Sequence, residues 1–153
     1  MTLSPAHPNP ARRRWMAVLA RATTAKILNG LADCPDLPDH IRLRGPETGL
    51  VMLRGRAGGA GQRFNLGEAT VTRCSIRDEA GRVGHSYATG RDSMRSELAA
   101  RIDAAMQDPA LHDALEARVI APLEARQNAT RAATARRAAA TRVDFFSMAT
   151  MRS

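Results

Sequence analysis

Five glycines, Gly55, Gly58, Gly59, Gly61 and Gly67, fall in one short window flanked by Arg54, Arg56 and Arg63. The chain has eleven glycines in all, so this stretch holds nearly half of them. Backbone without side chains can approach an anion closely, and guanidinium groups grip phosphate or carboxylate as a fork. Arg73 and Arg91, farther along, are further candidate contacts. The spacing is neither GxxxxGK(S/T) nor GxGxxG, and both flanks read as strands. A phosphate loop of either standard kind needs a helix N-terminus directly behind it. Two readings remain: a backbone nest backed by arginines, or a long hairpin whose loop turns or meets a partner.

No other group of residues suggests catalysis. Glu68, His85, Asp92 and Glu97 are scattered, and no nucleophile–base–acid order is visible. His85 alternates with Val83 and Tyr87, the pattern of a hydrogen-bonded histidine in a sheet. Cys74 falls mid-strand as a small apolar packer, while Cys34, between Asp33 and Pro35, is expected to be exposed. Two cysteines and four scattered histidines make neither a disulfide framework nor a metal-ligand set, so no metal is expected.

The 153 residues fit one domain, large enough to bury roughly two-thirds of the unfolded surface without disulfides or metal. Net charge is +8, and Lys26 is the one lysine among 23 basic residues. A balance this basic suits nucleic acid, membrane surfaces or phosphate-bearing partners. Single-strand readers interleave aromatics with cations, and the basic segments here carry almost none. No helix-turn-helix, zinc-finger or RNA-recognition signature is present. A basic nucleic-acid-binding or other non-enzymatic interaction protein is therefore the alternative reading. There is no apolar run of the roughly 20 residues needed to span a bilayer. Residues 1–10 lack an apolar core and are expected to form a disordered leader, not a signal peptide, with a cytoplasmic protein as the default.

The elements that must position these residues follow from periodicity. Trp15, Val18, Leu19 and Ala22 fall at helical spacing over Arg12–Ala22. A second short helix runs to Leu31 with Thr23 as its cap, and the prolines at 35 and 38 end it. Four strands are then expected: His40–Arg44, Leu50–Arg56, Gly67–Arg77 and Arg82–Ala88. Turns at 45–49 and 78–81 and the glycine loop at 58–62 link them into an antiparallel meander. Val51 and Leu53 share one face, with Met52, Arg54 and Arg56 on the other. Val71 and Ile76 point oppositely unless a bulge intervenes.

Asp92 or Ser93 caps the next helix, with Met94, Leu98, Ile102, Ala105 and Met106 as its stripe. Asp108-Pro109 starts another, with Leu111, Leu115, Val119 and Leu123 on one face and a break or kink at Pro122. From Glu124 to Arg142 no apolar residue exceeds Ala, and five arginines face one glutamate. Val143, Phe145, Phe146 and Met148 then form a hydrophobic tail, a candidate for docking on a partner. The class is α+β: N-terminal helices, a four-stranded antiparallel meander, and C-terminal helices with that tail. One domain spans residues 11–148, followed by a tail at 149–153.

Several ordered motifs together resemble one family. They are Arg14-Trp15-Met16 with Val18-Leu19-Ala20, Glu47-Thr48-Gly49-Leu50-Val51, and Gly58-Gly59 with Gly61, Phe64 and Gly67. Ala69-Thr70 with Thr72-Arg73, Gly90-Arg91-Asp92 with Glu97, and Arg142-Val143-Asp144-Phe145-Phe146 with Met148 complete the set. From about Arg12 to Met148 the chain resembles PhnG, the G subunit of the bacterial carbon–phosphorus lyase system of phosphonate breakdown. The resemblance implies a subunit that assembles with others of its pathway into a core complex, the ribose 1-methylphosphonate 5-triphosphate synthase. That complex replaces the adenine of ATP with a phosphonate, and a later radical step on an iron–sulfur partner cleaves the carbon–phosphorus bond. ATP is then a substrate of the complex, and this chain holds no cofactor and no established catalytic residue. Relatives often carry His where this chain has Arg95, which favours a structural or interface role for Arg91–Glu97.

Overall fold

The computed structural model describes residues 9–56 and 61–141. Helices α1 (Pro10–Arg21) and α2 (Thr24–Leu31) precede strands β1 (His40–Arg56), β2 (Arg63–Asp78) and β3 (Val83–Thr89). Helices α3 (Ser93–Ala105), α4 (Pro109–Leu115) and α5 (Ala121–Ala140) follow, with a π-helical turn at Glu116–Ile120 joining the last two. The sheet is antiparallel in the order β1-β2-β3.

Among the described residues the sheet has three strands, not four. The expected turn at 45–49 is a bulge within one 17-residue strand, because β2 stays paired to β1 on both sides of it. Arg44 faces Ser75 and Glu47 faces Arg73, so Gly45 and Pro46 are accommodated against a single residue of β2. Gly45 has φ +61, which glycine adopts without strain. Pro46 has no N–H to lose, and β1 is an edge strand, where a proline is tolerated. Residues 71–77 of β2 keep an even register with β3, so Val71 and Ile76 do lie on opposite faces.

Helix α3 is the centre of the molecule. Its expected stripe is only partly right: Met94 is 62% exposed, while Ser96, Ala99, Ala100, Ile102, Asp103, Ala104 and Ala105 are buried. A helix covered on both sides needs small residues toward the sheet and large ones toward the other helices. Toward the sheet, Ala100 and Ala104 meet Cys74 and Ile76. On the same side β3 offers Gly84, Ser86 and Ala88, all buried, and leaves His85 and Tyr87 outside. A Cβ on Gly84 would lie 1.9 Å from the Ala100 carbonyl oxygen, so the two backbones touch. Toward the helices, Ile102 and Met106 join Trp15, Leu19, Ile27, Leu115 and Ile120 in the main core.

Pro122 neither breaks nor ends its helix. It cannot donate to the Arg118 carbonyl, and the chain widens by one residue so that the Ala121 N–H reaches Glu116 instead. Helix α2 packs onto this widened turn at Gly30, where a Cβ would lie 2.9 Å from the Arg118 oxygen. Arg14 of α1 fastens the same region, reaching Glu116 at 2.6 Å and Glu124 at 2.8 Å. Beyond Leu123 the last helix buries no side chain, as its composition predicts.

Candidate functional site

The glycine-rich stretch does close a hairpin, and the strands leading to it are longer than the rest of the sheet. Strand β3 pairs only with residues 71–77 of β2. Among the described residues β2 has no strand partner but β1 from Arg63 to Thr70, so with Leu50–Arg56 it forms a two-stranded arm of roughly 20 Å at about 3.3 Å per residue. Its apolar side chains are open on both faces: Leu50 63%, Met52 53%, Leu53 44%, Phe64 45% and Leu66 66% exposed. A two-stranded ribbon is marginal in water by itself.

The ladder puts Arg56 directly opposite Arg63, and Arg54 two residues before Arg56 on the same face. All three are exposed, and none makes an ion pair among the described residues. Directly opposed like charges cost stability unless something anionic lies between them. Gly61 stands half-buried at the end of the loop. Gly58 and Gly59 lie outside the described residues, as do Val143, Phe145, Phe146 and Met148 of the tail.

The other two arginines do not join this group. Arg73 is mid-sheet, bonded through Nε to its cross-strand partner Glu47. Arg91 is exposed in the turn between β3 and α3. The candidate anion contacts therefore fall in three separate places.

Gly90-Arg91-Asp92 and Glu97 fasten elements together. Gly90 has φ +97, and its carbonyl accepts from the Thr72 hydroxyl at 2.7 Å. With that proton committed, the Thr48 hydroxyl donates to Thr72 at 3.0 Å, tying β1 to the turn. Asp92 caps α3 through the Arg95 N–H and accepts from the Thr24 hydroxyl at 2.6 Å. Those two hydrogen bonds, Thr24 first, hold its carboxyl below the ordinary value of 3.8. Glu97 accepts from Arg42 at 2.9 and 2.8 Å and faces His40 at 2.9 Å. The Arg42 bond is the main reason its carboxyl lies below 4.5, with His40 adding to it against the opposing effect of burial. Arg95 lies under the same turn and donates to the carbonyls of Thr89 and Ala22.

His85 is as expected, exposed on the outer face and bonded to Ser75 at 2.9 Å. Cys74 is buried against α3, and its desolvation raises the thiol pKa. Cys34 departs from expectation: it is half-buried, packs on the helical core, and its thiol is raised by that burial. No group of His, Cys, Asp and Glu among the described residues could hold a metal ion. No helix among them is long and apolar enough to cross a membrane.

Asp103 is a buried centre that the sequence barely marks. It is 0% exposed and accepts four hydrogen bonds, from Arg12 twice, Trp15 Nε1 and the His85 N–H. Its one sequence signal is a carboxylate set inside an otherwise apolar run, Ile102 to Met106.

A family model described as phosphonate metabolism protein PhnG matches residues 10–151 of the chain. The alpha-D-ribose 1-methylphosphonate 5-triphosphate synthase subunit PhnG of Rhizobium meliloti (strain 1021) is 46% identical over 137 residues, covering 90% of this chain and 87% of that protein.

Proposed function

The chain belongs to the PhnG family of phosphonate metabolism proteins, and on that premise we propose that it works as the PhnG subunit of alpha-D-ribose 1-methylphosphonate 5-triphosphate synthase. Its part in that assembly is structural. The two-stranded arm carrying Leu50, Met52, Phe64 and Leu66 docks on another subunit of the complex. Arg54, Arg56 and Arg63 then meet acidic groups of that subunit, or the border of its anionic substrate site. ATP and the phosphonate are ligands of the assembled complex, and the reacting groups sit on other subunits.

The observation that carries this reading is the exposure of five large apolar side chains on an arm that has no third strand among the described residues. Docking would cover them and supply the support a lone ribbon lacks. The signature residues Asp92 and Glu97 favour the same reading, since their carboxylates are engaged in a helix cap and ion pairs.

The test is co-expression with the other subunits of the complex. Leu50→Asp with Leu66→Asp is expected to abolish co-purification while leaving the circular dichroism of the chain unchanged. Full assembly of that variant would overturn the docking role of the arm. Removing residues 143–153 asks the same of the tail, and intact assembly would dismiss it as a docking element.

A further inference from the structure

On the far side of the helical layer, α1, α2 and α5 border a cleft of about 320 Å³. Arg21, Lys26, Arg126 and Arg131 line it, over a floor that includes Leu123, and no carboxylate among the described residues does. A neighbouring depression of about 150 Å³ shares Lys26, Leu123 and Arg126 with it and adds Arg118. Residues 118–131 cover roughly 20 Å at about 1.5 Å per residue, so the cations form a continuous basic trough.

Its charge is not neutralised from within. Arg21, Lys26, Arg126 and Arg131 make no ion pair among the described residues. The nearest acids on the same stretch of helix, Glu116 and Glu124, are turned to Arg14. Arg118 has only a loose contact with Asp33, at 3.7 Å between two exposed groups. Thr130 commits its hydroxyl to the Arg126 carbonyl and Gln127 turns one amide N–H to the Val18 carbonyl, which leaves the cations as the main binding groups. Concentrating like charge in a concavity is unfavourable unless an anion occupies it.

We propose that this cleft binds an oligophosphate chain. Such a chain carries several charges within a few ångströms, matching several cations on facing walls, and arginine forks suit its oxygens. A nucleic-acid strand would call for aromatic stacking surfaces, and among the described residues no aromatic side chain lines the cleft. This site is separate from the hairpin arm and does not depend on its docking role.

Calorimetric titration of the full-length chain with inorganic tripolyphosphate, ATP and orthophosphate tests it. Tripolyphosphate and ATP are expected to bind alike, both more tightly than orthophosphate. Arg126→Ala with Arg131→Ala should weaken both by about tenfold or more. Arg136→Ala with Arg137→Ala removes the same charge outside the cleft and should change affinity less than about twofold. Lys26→Gln, a milder change on the opposite wall, should weaken binding in the same direction. Three results would overturn the proposal: equal losses in the two α5 double variants, ATP binding without tripolyphosphate binding, or binding of single-stranded nucleic acid alone.

Discussion

Arg12 closes on Asp103 with two parallel hydrogen bonds, Nε to Oδ1 at 3.0 Å and Nη2 to Oδ2 at 2.7 Å. The pair joins the first helix to the central one, and Arg12 also donates to the Val83 carbonyl at 3.0 Å. Three layers thus meet at one carboxylate. Asp103→Ala would leave the Trp15 indole and the His85 N–H without their acceptor and the guanidinium without its counter-charge. The expected cost is about 3–5 kcal/mol in urea unfolding. Arg12→Ala should cost less, about 1–3 kcal/mol, because the carboxylate keeps its other two donors. The double variant should be less destabilised than the sum, since the residues act as one unit.

Gly84 and Gly67 should respond oppositely to the same change. A methyl on Gly84 drives into the Ala100 carbonyl, whereas a methyl on Gly67 meets nothing within 4 Å. Gly84→Ala is expected to cost about 3 kcal/mol, the upper end of overpacking. Gly67→Ala should be neutral or slightly stabilising by removing backbone freedom from the unfolded chain. Paired thermal melts distinguish them.

Acid should weaken the fold through Glu97. Its folded-state carboxyl titrates below its ordinary 4.5, held there first by Arg42. A depressed carboxyl adds stability that is present above pH 4.5 and is lost as pH falls through the folded value. Asp92 acts in the same sense below 3.8, through Thr24 and the Arg95 N–H. The urea midpoint should therefore fall on acidification below about pH 4.5, and Glu97→Gln should flatten that dependence while lowering stability at neutral pH.

Arg63→Glu sets the free chain against the assembled one. Opposite Arg56, a carboxylate turns a repulsive cross-strand pair into an attractive one, worth about 0.2–1 kcal/mol to the arm. If the arm's arginines meet acidic groups on a partner, the same substitution must weaken assembly. Amide exchange in the isolated chain should slow at residues 61–67 while co-purification with partner subunits drops. Unchanged assembly would remove those arginines from the interface.

Much of this was legible in the residues. Trp15, Val18 and Leu19 announce their helix, and the small, β-branched run from Thr70 to Ile76 announces the middle strand. Gly45-Pro46 misled because the pair that closes a turn also fits a bulge in an edge strand. Which occurs depends on whether the neighbouring strand keeps pairing, and that is not a local property. Met94 misled because α3 is buried from two directions, and a two-sided helix has no single stripe. Arg54, Arg56 and Arg63, which flank one glycine cluster, do share a face. Arg73 and Arg91 do not join them, since spacing along the chain says nothing of which ladder positions coincide. One wall of the basic trough is legible as the arginine-rich run that holds Arg126 and Arg131, but the other is not, because Arg21 and Lys26 meet it only after about a hundred residues of intervening chain have folded.

The contact of Gly84 with Ala100 also has mechanical meaning. Where a strand and a helix touch backbone to backbone there is no layer of side chains to slide or shear. The sheet cannot shift over α3 without lifting off it, and α3 is bolted through Asp103 to the first helix. The arm is therefore a cantilever with a clamped root, and a load placed on it passes through the sheet into the helical body.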